Sequence, residues 1–260
     1  MRSLDRHGHQ RSVFGGIVLR FEIVDSTNNV AVRLGKQGLP EGAVVQARTQ
    51  RFGRGRKGRR WFSPAGGLYF SVVLRPKMCS LVSLIPIAAG VSAARAIRRC
   101  FSIEAVLKWP NDVMVDNKKV AGILVESSLT PMECLAVTGF GVNANSFSTQ
   151  TMPELADQAV SISDARGSIV DVDRLMREIV DDFAEIYKDM FSRSQLAVVN
   201  QWKEFSGMLS KPILVYEDEN SFEAIAVDLD CDGALLVKTA DGKLRRLLAG
   251  DVSTVRLLKT

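Results

Sequence analysis

The sequence predicts an α+β fold: a mixed-sheet main domain followed by a small all-β unit. Three observations predict it. Strand-like and helix-like patterns alternate through the first 100 residues, but without the regular spacing of βαβ units. Between 106 and 142 the strand candidates are so closely spaced that hairpins must join them. From about Ser210 onward, every apolar run is short and bounded by a turn signal.

The elements follow in order. Residues 17–24 have the β-branched alternation of a strand, and Asp25, Ser26, Thr27 and Asn28 then supply capping side chains for a helix running to about Lys36. A strand over 43–49 leads into a basic loop, and after the Gly66-Gly67 turn the apolar run 68–74 reads as a buried strand. Residues 81–99 read as a largely apolar helix. Strands are expected at 106–109, at 113–115 hairpinned through Asp116-Asn117 to 120–126, and at 135–142. The stretch 171–191 has an apolar face at Leu175, Ile179, Phe183 and Ile186, and helical character continues over 195–205. Five short strands at 213–216, 222–227, 234–238, 244–247 and 252–255 complete the chain. The expected division is a flexible extension over 1–15, a main domain over 16–208 and a small β unit over 209–260.

Composition excludes several kinds of chemistry. The only histidines, His7 and His9, lie in the N-terminal extension, so a serine–histidine triad, histidine-ligated zinc and histidine acid–base catalysis have no residues to run on. The four cysteines, at 79, 100, 134 and 231, form no C-x-x-C pair and are too scattered for a disulfide framework; they point to a reducing, cytoplasmic compartment. The apolar run 84–94 is broken by proline, glycine and serine and is too short to cross a bilayer, so no membrane role is expected. The net charge is +5, from 34 basic and 29 acidic residues, and six of the basic ones fall between Arg51 and Arg60. The protein is thus near neutral apart from one intensely positive loop, which fits one anionic ligand better than a coated nucleic acid.

Four stretches carry candidate chemistry. In Gly53-Arg54-Gly55-Arg56-Lys57-Gly58-Arg59, glycines let the backbone bend around an anion while arginines offer planar forks to phosphate or carboxylate; disordered Arg/Gly loops that bind RNA share this composition. Lys108-Trp109-Pro110-Asn111-Asp112 presents an amide and a carboxylate after a strand, although Asx residues after proline also serve as plain turn formers. Lys118-Lys119-Val120-Ala121-Gly122 runs a lysine into an apolar strand, where an edge lysine is equally at home. Gly139-Phe140-Gly141-Val142-Asn143 puts glycines where a strand should carry side chains, implying a β-bulge or a closely approaching ligand, the bulge being the simpler reading.

Taken jointly and in order, these motifs resemble the biotin–protein ligases, over about residue 17 to the C-terminus. The resemblance implies the mixed-sheet catalytic domain of the biotin/lipoate ligase type with a small C-terminal Src-homology-3-like β-barrel. It implies ATP-dependent activation of biotin to biotinyl-5′-AMP, with Mg²⁺, followed by transfer to a lysine of a biotin carboxyl carrier protein or carrier domain. By the same resemblance, Ser26, Thr27, Asn28, Gln50, Gly53, Arg54, Gly55, Arg56, Lys119, Gly122, Gly139 and Gly141 surround biotin. Arg54, Arg56, Lys57, Trp61, Asn111, Asp112, Asn143 and Arg256 serve the nucleotide; Lys119, Arg54, Arg56 and Asp112 carry the catalysis; and Asp112 is the candidate Mg²⁺ ligand. Adjacent strand residues face opposite ways, so the doubled lysine leaves a choice; Lys119 is taken because it directly precedes Val-Ala-Gly. Lys57, and the pair Arg51-Phe52, depart from what many members carry. The expected oligomeric state is monomer or homodimer. A lipoate-type ligase is the nearest rival and a basic-loop nucleic-acid binder the rival of another class; specific DNA binding is not expected, because about sixteen residues ahead of the first strand are too few for a helix-turn-helix unit.

Overall fold

A computed structural model describes residues 14–129, 134–145, 157–192, 195–217, 220–248 and 251–254. Most of the expected N-terminal extension, and Arg256, lie outside them. The main sheet has seven strands in the order β1-β2-β3-β7-β6-β5-β4. Strands β1 (Val18–Val24) and β2 (Val44–Gln50) are parallel, joined through helix α1 (Thr27–Lys36). The remaining pairings, among β3 (Leu68–Leu74), β4 (Val106–Lys108), β5 (Asp112–Val115), β6 (Lys118–Leu129) and β7 (Cys134–Val142), are antiparallel.

All seven residues of β3 are buried, as its unbroken apolar run requires of a central strand covered on both faces. Helix α1 covers one face with a small cluster of Val30, Ala31, Val45, Val73, Leu135 and Val137. The other face carries the main core, built on α2 (Ile85–Phe101), α4 (Val172–Ser192) and α5 (Gln195–Phe205). Residues 79–101 as a whole are long and apolar enough to cross a membrane by length and composition, but 72% of that apolar window is buried in the protein, as befits a core helix. A short helix α3 (Ile162–Arg166), capped by Ser161 Oγ accepting from the Asp164 amide, has no counterpart in the sequence reading, because five residues are too few to show a helical period. Ser26 is the N-cap of α1 as expected, yet its side chain makes no capping hydrogen bond.

The C-terminal strands β8 (Pro212–Glu217), β9 (Asn220–Leu229), β10 (Leu235–Thr239), β11 (Leu244–Leu247) and β12 (Asp251–Thr254) form an antiparallel sheet in the order β11-β10-β9-β8-β12. Where a closed barrel is expected, the described residues show an open sheet with β11 and β12 at its two edges. This sheet meets the main domain directly. Trp109 Nε1 donates to Gly233 O at 2.9 Å, Ser83 Oγ donates to Asp232 O at 2.9 Å, and Met208 is buried in the main core.

Candidate active site

A cleft of about 850 Å³ opens between the basic loop, the start of α1 and the β5–β6–β7 side of the sheet. Its floor is a chain of hydrogen bonds among buried polar groups. Gln50 Oε1 accepts from the Thr27 amide at 2.8 Å and from Thr27 Oγ1 at 3.2 Å. Ser71, wholly buried in β3, donates within reach of both Thr27 Oγ1 (2.8 Å) and Asn28 Oδ1 (2.6 Å). Gln50 Nε2 donates to Ser63 Oγ at 2.9 Å, and Ser63 Oγ donates to Trp61 O at 3.1 Å. Each buried polar atom in this chain therefore has a partner, as the low-dielectric floor demands.

One wall is glycine. The pairings of β7 with β3 and β6 run without a register shift, which overturns the bulge reading of Gly139 and Gly141. The close-approach reading holds in its place, with protein side chains as the neighbours. A Cβ on Gly141 would lie 2.5 Å from Trp61 Nε1 and Cε2, one on Gly122 would lie 2.9 Å from Trp61 Cζ3, and one on Gly139 would collide with the Asn28 carboxamide. Trp61 thus lies flat against the glycine wall. Its indole Nε1 is buried with no hydrogen-bond acceptor among the described residues.

The bulge lies instead in β6. Asp112 pairs with Gly122 and Val113 with Ala121, but Met114 pairs with Lys119, so Val120 is the extra residue. Strict alternation from Gly122 would send Lys118 to the cleft; the bulge resets the parity and brings Lys119 there. Lys119 Nζ lies 2.6 Å from Asp112 Oδ1, an ion pair although that oxygen makes no well-angled hydrogen bond, and 5.1 Å from the Trp61 ring centroid. Lys119 is further fixed by its backbone, which bonds Gln158 O and the Val160 amide.

Across the cleft, Arg56 Nη1 donates to Asn111 Oδ1 at 3.4 Å, while Asn111 Nδ2 donates to Ile123 O at 2.7 Å. Arg54 Nη2 donates to Glu126 Oε2 at 2.5 Å. Asn143 lines the same cleft and donates to Lys119 O at 3.1 Å. Ser26 and Gly55 also line it.

Two expected site residues do not reach the cleft. Gly53 faces its own loop, where a Cβ would strike Trp61 O and Ser63 Oγ, so its role is to let the loop close on itself. Lys57 is exposed at the apex of a 3₁₀ turn (Arg56–Gly58), at φ 53°. The sequence reading also missed residues. Ser71 was visible as the one polar side chain within the apolar run 68–74; Ser63, Glu126 and the cleft-lining Gln158 gave no such signal.

Two family models match the chain: the Biotin/lipoate A/B protein ligase family over residues 20–143, and the Biotin protein ligase C terminal domain over residues 211–255. Together with the cleft, they define the class as an acyl–protein ligase with a dedicated C-terminal unit. Among relatives, the biotin–[acetyl-CoA-carboxylase] ligase of Paracoccus denitrificans is 32% identical over 230 residues, covering 84% of this chain and 93% of its own length. The bifunctional ligase/repressor BirA of Bacillus subtilis is 28% identical over 250 residues, covering 95% of this chain and 77% of its own length. Among solved structures, the biotin protein ligase from Aquifex aeolicus in complex with biotin and ATP superposes with a TM-score of 0.80 at 29% identity, covering 92% of this chain and 99% of that one. The chain belongs to the biotin–protein ligase family, the enzymes that activate biotin and transfer it to protein.

Proposed function

We propose that this cleft makes biotinyl-5′-AMP from biotin and ATP and then passes the biotinyl group to a lysine of a biotin carboxyl carrier protein or carrier domain. The observation that carries the reading is the convergence of Arg54, Arg56 and Lys119 on one cleft beside a hydrogen-bonded polar floor of Thr27, Asn28, Gln50 and Ser71. Its size falls within the range of small-molecule sites.

Biotin's carboxylate is ionised at neutral pH, so activation needs no general base. Its oxygen attacks the α-phosphorus of ATP, the bond to the β-phosphate oxygen breaks, and pyrophosphate leaves. Two anions must approach each other, and Lys119 and Arg56 are the groups placed to offset their repulsion. Thr27, Asn28 and Gln50, held rigid by the Ser71 network, would orient the biotin ring, with Ser26 and Gly55 beside it and Gly122, Gly139 and Gly141 as the wall. Trp61, Asn111 and Asn143 belong to the nucleotide side. Mg²⁺ would arrive as the counter-ion of the triphosphate and neutralise charge on it; a single carboxylate, Asp112, fits that role, since Mg²⁺ is usually held by one or two carboxylates plus phosphates.

In the second half-reaction a neutral carrier lysine attacks the carbonyl carbon of the mixed anhydride, AMP leaves, and the amine proton passes to Asp112 or water. The Gly53–Arg60 segment would act as a lid that keeps water from the anhydride. The five C-terminal strands correspond in this proposal to the family's small Src-homology-3-like barrel, with the boundary at 208/209. A cytoplasmic location belongs to the same proposal, as the scattered cysteines imply.

The test is incubation with biotin, Mg-ATP and a biotin carrier domain, read by intact mass. One added biotinyl group per carrier is expected; an unmodified carrier, or equal modification with lipoate, would overturn the reading.

A further inference from the structure

Glu126 stands where the two halves of the site meet, and the chemistry above makes no use of it. Its Oε2 accepts from Arg54 Nη2 at 2.5 Å and from Asn28 Nδ2 at 2.8 Å. Asn28 is 3% exposed and uses its other amide atom to accept from Ser71 Oγ. One carboxylate oxygen therefore ties the cationic loop to the buried floor.

We infer that Glu126 is a positioning residue that acts as a stand-in anion: it holds Arg54 until an anionic ligand displaces it, and so sets how strongly the cleft grips that ligand. The inference rests on the reading that an acyl-adenylate binds beside Arg54. A guanidinium at the edge of a low-dielectric cleft is stabilised by an anionic partner, and a carboxylate offers the same planar acceptor pair as a phosphate or acyl group. Ligand binding at Arg54 then exchanges one ion pair for another, and breaking the first offsets part of the gain from the second. Both side chains are partly exposed, at 40% and 32%, so the effect is modest. The bond to Asn28 adds a second function, because it fixes which amide atom faces Ser71.

Glu126→Gln separates the two functions. It keeps an acceptor for Asn28 and removes the negative charge facing Arg54. In biotin-dependent ATP–pyrophosphate exchange, the KM for biotin should fall about two- to fivefold in Glu126→Gln, with kcat within about twofold of wild type and adenylate release slowed by a similar factor. The KM of the variant should also rise more steeply with salt, since the intramolecular competitor is gone. In an Arg54→Ala background, the same substitution should lower KM by clearly less than it does in the wild type, because only direct repulsion of the ligand is then relieved. A KM that is unaltered or higher in Glu126→Gln, or a fall at least as large without Arg54, overturns the inference alone. Absence of biotin-dependent exchange in the wild type overturns the functional reading and this inference with it.

Discussion

Lys119 and Gly141 show how single residues decide this site. Lys119 reaches the cleft only because β6 carries one extra residue, and it pairs there with Asp112 at 2.6 Å. Replacing it by methionine keeps the stem and removes the charge. Adenylate formation should then fall about 10²- to 10³-fold in kcat/KM, the usual cost of losing one preorganised donor, as measured by pyrophosphate exchange. Gly141→Ala would set a methyl group 2.5 Å from the Trp61 indole. Biotin binding by calorimetry should weaken at least about tenfold while circular dichroism remains that of the wild type, since a one-methyl intrusion at the cleft wall is expected to displace Trp61 more than the sheet. Arg56→Ala should let free biotinyl-adenylate escape into solution, seen by chromatography; retention equal to wild type would refute the lid. At this scale the sequence was legible in residue type more than in direction. The motif residues Thr27, Gln50, Arg54, Arg56 and Asp112 do meet in one cleft. Alternation alone, however, cannot reveal the β6 bulge, and the glycines of β7, read as a bulge, sit in regular pairings. A glycine in a strand says that something comes close, without saying whether that is a ligand or, as with Asn28 and Trp61, the chain itself.

Elements were legible wherever a long period ran uninterrupted. Strand β3 and helix α5 fall on the expected residues, and α4 differs by about one residue at each end. The apolar face of α4 at Leu175, Ile179, Phe183 and Ile186 is buried as its spacing requires. The polar join between helices was not legible, because it depends on which faces meet: Arg99 of α2 bonds Asp182 at 3.0 Å and Glu178 at 2.7 Å, both on α4. Burial pushes the Asp182 carboxyl above its ordinary range, and the neighbouring Arg99 only partly offsets it. A folded pKa above the unfolded one means the native state binds the proton more tightly. The contribution of this group is therefore greatest at acid pH and declines as pH rises through the window from the ordinary carboxylate value to the raised one. The stability of wild type minus that of Asp182→Asn, from urea unfolding, should decrease between about pH 3.5 and the raised value and then stay flat; an increase over that window would refute the assignment.

At the scale of the whole molecule, the sequence marked the change of texture near Met208 but not how closely the two regions join. Their contact is made by particular atoms, among them the Trp109 indole on Gly233 O and Ser83 on Asp232 O, that no local pattern forecasts. Trp109 is 2% exposed and directly precedes Pro110, Asn111 and Asp112, so the C-terminal sheet supports the stretch that brings Asn111 and Asp112 to the cleft. Removing residues 209–260 should therefore abolish pyrophosphate exchange and not merely slow it, and should lower the melting temperature, since Ile213, Val215, Leu235 and Val237 belong to the main core. Trp109→Phe keeps an aromatic ring but deletes the donor and leaves a cavity at a buried position, so it should cost about 2–3 kcal/mol of stability by chemical denaturation. The indole bond also spans 124 positions of chain, and a polypeptide leaves the ribosome in order. The machinery that makes a reactive anhydride thus stays incomplete until most of the polypeptide has emerged, and a prematurely terminated product would be silent instead of a source of stray acylation.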